Sequence, residues 1–209
     1  GLINEDNHEL IFSSGIEQKN INQIAPRNND HFTFICVARL VYEKGIIDLL
    51  NAARICKNRG HNFKIKLVGP LEENSKRLNK DILDQYQDIV DLLGARNDVF
   101  DLLLASDAFV LPTFREGFAR VLLEAAAVRL PIIATDVTGV REFVRHEKEG
   151  LLVQVQNSQE LAHAMIKLAT NKKLATHLAE NAYKHVEKFS LENVSQQYIN
   201  IFNGAINQE

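Results

Sequence analysis

Arg39 and Lys44 stand close together in the run Arg-Leu-Val-Tyr-Glu-Lys-Gly that ends at Gly45. Glu116 and Glu124 bracket the run Glu-Gly-Phe-Ala-Arg-Val-Leu-Leu-Glu. A guanidinium and an ammonium brought to one place suit a diphosphate, each through charge-assisted bonds of about 1.5–3 kcal/mol. A carboxylate in the tight Glu116-Gly117 turn suits the hydroxyls of a sugar. A carboxylate inside an apolar helix, as at Glu124, needs partners such as ribose hydroxyls, because burying it unpaired is costly. Each group also has a plain explanation. Lys44 could be solvated in a turn, and Arg39 could pair with a surface acid. Acids early in a helix suit its dipole, and Glu124 could pair with a nearby arginine. A third piece, Thr135-Asp-Val-Thr-Gly139-Val-Arg-Glu142, reads as a strand end, a glycine turn and a short helix. Alone it is an ordinary turn.

These side chains act together only if the elements bring them together. Residues 32–38 read as a buried strand. A helix is expected from about Lys44 to Arg59, with apolar positions Ile46, Leu49, Leu50, Ala53 and Cys56, stopped by Gly60. Further strands are expected at 63–68, 88–93, 107–111, 131–135 and 150–153. Helices are expected within 71–86, at 97–105, and at 120–128, where every face but that of Glu124 is apolar. The tail, 158–207, reads as two or three helices, the first marked by Leu161, Met165 and Leu168. This alternation predicts an α/β domain: a Rossmann-like parallel sheet with helices on both faces, then C-terminal helices. Such sheets bind ligands beyond the carboxyl ends of their strands. The site is therefore expected in loops 39–45, 69–74, 94–97, 112–119 and 136–140. A helix starting near Ala119 would aim its free amides and positive dipole end at an anion there.

The 209 residues are 45% apolar and 24% charged, with a net charge of −3. No basic excess is present, so no nucleic-acid partner is expected. No apolar run is long enough to cross a bilayer, and no signal peptide is visible. The chain opens on Gly1 rather than Met, as expected of a piece of a longer protein. The dinucleotide fingerprint GxGxxG, the phosphate loop, the GxSxG elbow, the HExxH zinc pair and a DxD clamp are all absent. No cofactor and no metal are expected. Cys36 and Cys56 fall in apolar segments and are expected to be buried thiols in a reducing, cytoplasmic setting.

Taken in order, these pieces resemble the donor-binding half of retaining glycosyltransferases of the GT-B fold, family 4, over nearly the whole chain. Leu10-Ile-Phe-Ser-Ser-Gly-Ile16 is similar to the segment leading into that half. Arg39 to Gly45 is similar to its arginine–lysine pair, and Glu116 with Glu124 reproduces its E-x7-E spacing. Leu67-Val-Gly-Pro70, Asp107-Ala-Phe-Val-Leu-Pro112, Pro131 to Gly139 and Glu149-Gly-Leu-Leu-Val153 complete the series. The resemblance implies that Arg39 and Lys44 grip the donor diphosphate and that Glu116 contacts the sugar. It implies that Glu124 holds the ribose and that backbone amides of Phe118, Ala119, Arg120, Val121 and Leu122, beside Gly117, cradle sugar and phosphate. Gly69-Pro70 and Gly94-Ala95-Arg96 would border the base. It further implies net retention without a metal and an amino-terminal acceptor domain that this chain lacks. The acceptor would be lipid-linked or a saccharide, and the enzyme would sit at the inner face of the cell membrane through that other half. Ala119, Arg129 and Thr138 depart from the pattern. Arg129, where glycine is usual, is expected to be a tolerated surface change. The competing functions are a sugar-nucleotide epimerase, a non-catalytic nucleotide-sugar sensor and an interaction domain without ligand.

Overall fold

The computed structural model describes Gly15, Ile16, residues 31–72 and residues 77–206. Apart from its last two residues, the segment 10–16 lies outside them, as do residues 73 and 74 of one expected loop. Among the described residues six strands form one sheet: β1 (Phe32–Val37), β2 (Phe63–Val68), β3 (Val90–Gly94), β4 (Ala108–Leu111), β5 (Ile132–Thr135) and β6 (Gly150–Val153). All neighbours run parallel, in the order β3-β2-β1-β4-β5-β6. The chain builds outward from β1 to β3, then returns to β4 on the other side of β1. A crevice opens at such a reversal, beyond the carboxyl ends of the strands.

Both faces of the sheet are covered, so its strands read as near-continuous apolar runs. In β1, Phe34 and Cys36 point to one face and pack with Ile46, Leu49 and Leu50 of α1 (Ile46–Asn58) and Met165 of α6 (Ser158–Thr170). Ile35 points to the other face, toward the cluster of Leu122 and Leu123 of α4 (Arg120–Ala127) and Ala182 of α7 (Lys172–Val186). Helices α1 and α6 touch each other, as do α4 and α7. The shorter α2 (Lys80–Asp84), α3 (Val99–Leu104) and α5 (Thr138–Arg141) lie in the connections, and α8 (Leu191–Ile206) follows α7. The tail is thus three α-helices.

Two boundaries differ from expectation, for local reasons. Helix α1 starts at Ile46, because Tyr42–Lys44 is a separate 3-10 turn closed by Gly45 at φ 67°. A Cβ at Gly45 would lie 1.9 Å from the Pro112 carbonyl oxygen, so glycine alone lets this corner seat against the end of β4. Strand β3 starts at Val90 because residues 85–89 are still closing the turn after α2. The N–H groups of Ile89 and Val90 both donate to the Tyr86 carbonyl, at 2.9 and 2.8 Å. Cys36 and Cys56 are buried free thiols, and burial pushes them up to about 12 and about 11. Glu149, buried in the turn before β6, is held by the backbone N–H of Arg145 at 2.9 Å and by its guanidinium. Burial pushes that carboxyl up, but the Arg145 hydrogen bonds outweigh it and hold it below the usual carboxylate range. No described helix is long and apolar enough to cross a membrane.

Candidate functional site

The expected loops meet at the carboxyl edge of the sheet, over the crevice between β1 and β4. Lys44 and Glu116 are joined by a direct hydrogen-bonded ion pair, with side chains only 19% and 16% exposed. Beside them the Phe114 N–H donates to the Glu43 carbonyl at 2.9 Å, and the Tyr42 ring meets Phe114 edge-on at 5.3 Å. Loops 39–45 and 112–119 are therefore zipped together. Gly139, in α5, lies so near the Glu116-Gly117 turn that a Cβ there would fall 2.2 Å from the Gly117 carbonyl oxygen. The Leu40 N–H donates to the Pro70 carbonyl at 2.8 Å and the Gly69 N–H to the Gly94 carbonyl at 2.7 Å, which ties the Gly69-Pro70 and Gly94-Ala95 loops to the same edge.

The start of α4 carries the anion-binding potential. Its N-cap, Ala119, has no side chain that can accept a hydrogen bond. The N–H groups of Arg120 and Leu122 fold back onto Phe118 and Ala119, at 3.1 and 2.9 Å. Among the described residues, the N–H groups of Gly117, Phe118 and Ala119 find no protein acceptor. The free amides thus fall at the start of the expected Phe118 to Leu122 stretch, at Phe118 and Ala119, with Gly117 just ahead of it. Leu122 is fully buried in the core, and Val121 is partly buried. Arg39 is exposed, and among the described residues it joins no ion pair.

Glu124 lies a turn further along α4 and lines a hollow of 270 Å³ with Ile16, Val99, Phe100 and Arg120. Its carboxylate faces Arg120 at 3.5 Å, a loose pair in which the arginine is 62% exposed. Burial raises its pKa, and Arg120 offsets this only in part. The plain explanation of Glu124 is therefore half right: an arginine is near, but the pair leaves room for hydroxyl donors. Arg96 is different. It forms a two-pronged bond to Asp98 at 2.8 and 2.6 Å, so its guanidinium already has a partner.

Three features go beyond the sequence reading, one of them in the run 135–142 that read as an ordinary turn. The Arg77 guanidinium lies over the Tyr42 ring, 4.8 Å from its centroid, and the Tyr42–Phe114 pair walls the rim. The Arg141 guanidinium bonds Asp136 at 2.9 Å, and both line a hollow of 320 Å³ with Arg115, Glu116 and Thr138. The signal for that hollow was an acid and a base on either side of the Gly139 turn. A larger hollow of 480 Å³ lies at the opposite edge, where Phe32, Asp107 and Pro131 mark strand starts. It is lined mainly by apolar side chains and is far from the carboxyl edge. Among the described residues no group of three or more His, Cys, Asp or Glu side chains could hold a metal ion.

The chain is similar to known proteins. The family model described as glycosyl transferases group 1 matches residues 17–185. The capsular polysaccharide biosynthesis glycosyltransferase CapM of Staphylococcus aureus is 32% identical over 178 residues, covering 84% of this chain and 47% of that protein. The N,N'-diacetylbacillosaminyl-diphospho-undecaprenol alpha-1,3-N-acetylgalactosaminyltransferase of Campylobacter jejuni is 30% identical over 172 residues, covering 82% and 44%. Among solved structures, Anabaena Alr3699/HepE in complex with UDP and glucose has a TM-score of 0.77 at 25% identity, covering 84% of this chain and 49% of that one. The chain spans about half the length of these relatives.

Proposed function

The chain belongs to the glycosyl transferases group 1 family, and from that premise we propose that it is the donor-binding half of a retaining, metal-independent glycosyltransferase. The enzyme would move a sugar from a nucleoside diphosphate onto a lipid-linked or saccharide acceptor in bacterial surface polysaccharide or glycolipid assembly. One observation carries this reading: Lys44, Glu116 and the free amides of Gly117 to Ala119 converge at the carboxyl edge, at the reversal of strand order.

In this reading Arg39, Lys44 and the start of α4 neutralise the diphosphate as it leaves, stabilising charge where it develops. They supply the positive charge that a divalent ion supplies elsewhere, which supports a reaction without metal. Glu116 accepts hydrogen bonds from the sugar and is not a nucleophile. The acceptor attacks from the face the diphosphate leaves, with a donor phosphate oxygen as base. Glu124 holds the ribose in the hollow beside α3. A UDP-sugar is the favoured donor, supported by the UDP held in the Anabaena protein. A lipid-linked acceptor is supported by the name of the Campylobacter relative. An amino-terminal half would bind that acceptor, so this chain alone would bind donor and transfer little. That half would also place the enzyme at the cytoplasmic face of the membrane.

Calorimetric titration with UDP, GDP and ADP tests the reading. One of the three should bind, with an affinity unchanged by EDTA. Arg39→Ala should weaken it about 10- to 100-fold, the worth of one charge-assisted contact. Lys44→Ala should weaken it too. Silence toward all three nucleotides would sink the proposal.

A further inference from the structure

Lys44 and Glu116 are each other's partner, and both side chains are largely withdrawn from water. The proposed donor needs both, but for different parts of the molecule. The diphosphate needs the ammonium and the sugar needs the carboxylate. A ligand that carries only the diphosphate therefore competes with Glu116 for Lys44. It leaves the carboxylate short of a partner in a place where water compensates poorly.

A second effect has the same sign. Once the sugar has gone, the outer phosphate is terminal. It then carries about one more negative charge at neutral pH, because its second ionisation lies near pH 6. That extra charge arises where the sugar was attached, beside Glu116, and like charges at close range repel. An intact sugar nucleotide meets neither difficulty, since its sugar hydroxyls replace the ammonium as hydrogen-bond donors to the carboxylate.

We infer that the Lys44–Glu116 pair makes this site discriminate a sugar nucleotide from the bare nucleoside diphosphate that transfer leaves behind. Glu116 is then a specificity residue as well as a sugar contact: it weakens the hold on the spent product and so favours its exchange for fresh donor. The inference rests on the donor-site reading above, and it adds a sign that this reading does not contain. Removing the charge of a binding-site residue should strengthen one ligand.

The test is titration of wild type, Glu116→Gln, Glu116→Ala and Arg39→Ala with UDP and UDP-glucose, with GDP and ADP and their glucose conjugates alongside. For the nucleotide that binds, both Glu116 variants should take the bare diphosphate about two- to fivefold more tightly, the worth of one partly exposed ion pair. Neither should gain affinity for the sugar conjugate. Arg39→Ala should weaken both ligands together. A misfolded variant cannot bind more tightly, so the gain has one meaning. If wild type binds the diphosphate and the Glu116 variants bind it equally or less well, the inference is overturned and the donor site stands. If wild type binds none of the nucleotides, both fall.

Discussion

Arg129 shows how a single residue can look expendable in a sequence and carry structure in the fold. It follows α4 with a backbone φ of 54°, a left-handed conformation that costs a non-glycine residue about 1–2 kcal/mol. That geometry is why glycine suits the position. The side chain offsets the strain: its guanidinium lies over the Tyr183 ring of α7, 4.1 Å from the centroid, and faces Glu180 at 3.6 Å. The residue at this expected tolerated change also ties the end of α4 to α7. Arg129→Ala keeps the strained backbone and loses the tie, so it should destabilise by about 1 kcal/mol. Arg129→Gly loses the tie but relieves the strain, and should stay within about 0.5 kcal/mol of wild type. Urea unfolding of both variants decides the point; equal losses would show that the backbone strain is not felt.

Among the elements, what could be read from the sequence was what depends on burial. The strands at 32, 107 and 131 are apolar runs and that at 63 alternates before its apolar end; all four stand within a residue or so of expectation. What could not be read was decided by contact between distant loops. Nothing local to Lys44 says that the helix must wait for Gly45; the Pro112 carbonyl imposes that from just beyond β4. Likewise Arg39, Lys44 and Glu116 were legible as a group by residue type and spacing. Their arrangement, with Lys44 committed to Glu116 and Arg39 left exposed, was not. Gly139 shows the same coupling. In a helix, alanine is preferred over glycine by up to about 1 kcal/mol, so a local view favours Gly139→Ala. The added Cβ, however, would meet the backbone oxygens of Gly117 and Glu116, at 2.2 and 2.4 Å. Of the two partners the Glu116-Gly117 turn, with its free amides, is the one that can yield. Gly139→Ala should therefore weaken nucleotide binding about tenfold, in keeping with an overpacking cost of about 1–3 kcal/mol. The donor-free protein should lose only a few degrees of thermal midpoint. Unchanged affinity would mean that α5 moves instead.

At the scale of the whole molecule the unsatisfied part is α8. Its Val194 is buried against the body, yet Leu191, Tyr198, Ile199 and Phe202 stand 48%, 45%, 49% and 65% exposed. On a helical period these four share one face, so the helix shows solvent an apolar stripe. The stripe does not suit a membrane surface, because such helices carry lysine and arginine on the polar face, and α8 has neither. It does suit a protein surface, and the chain spans only about half the length of its relatives. In the proposed function the amino-terminal half would cover it. If so, the stripe adds nothing to this domain alone. The triple variant Tyr198→Ser, Ile199→Ser, Phe202→Ser should unfold within roughly 0.5 kcal/mol of wild type and bind nucleotide equally well. In a protein carrying both halves, the same variant should transfer sugar severalfold more slowly at unchanged donor affinity, because the acceptor would be less firmly held against the donor. A large loss of stability in this domain alone would make α8 part of its own core. An unchanged transfer rate would leave the stripe uncovered in the working enzyme, and the proposal would fail.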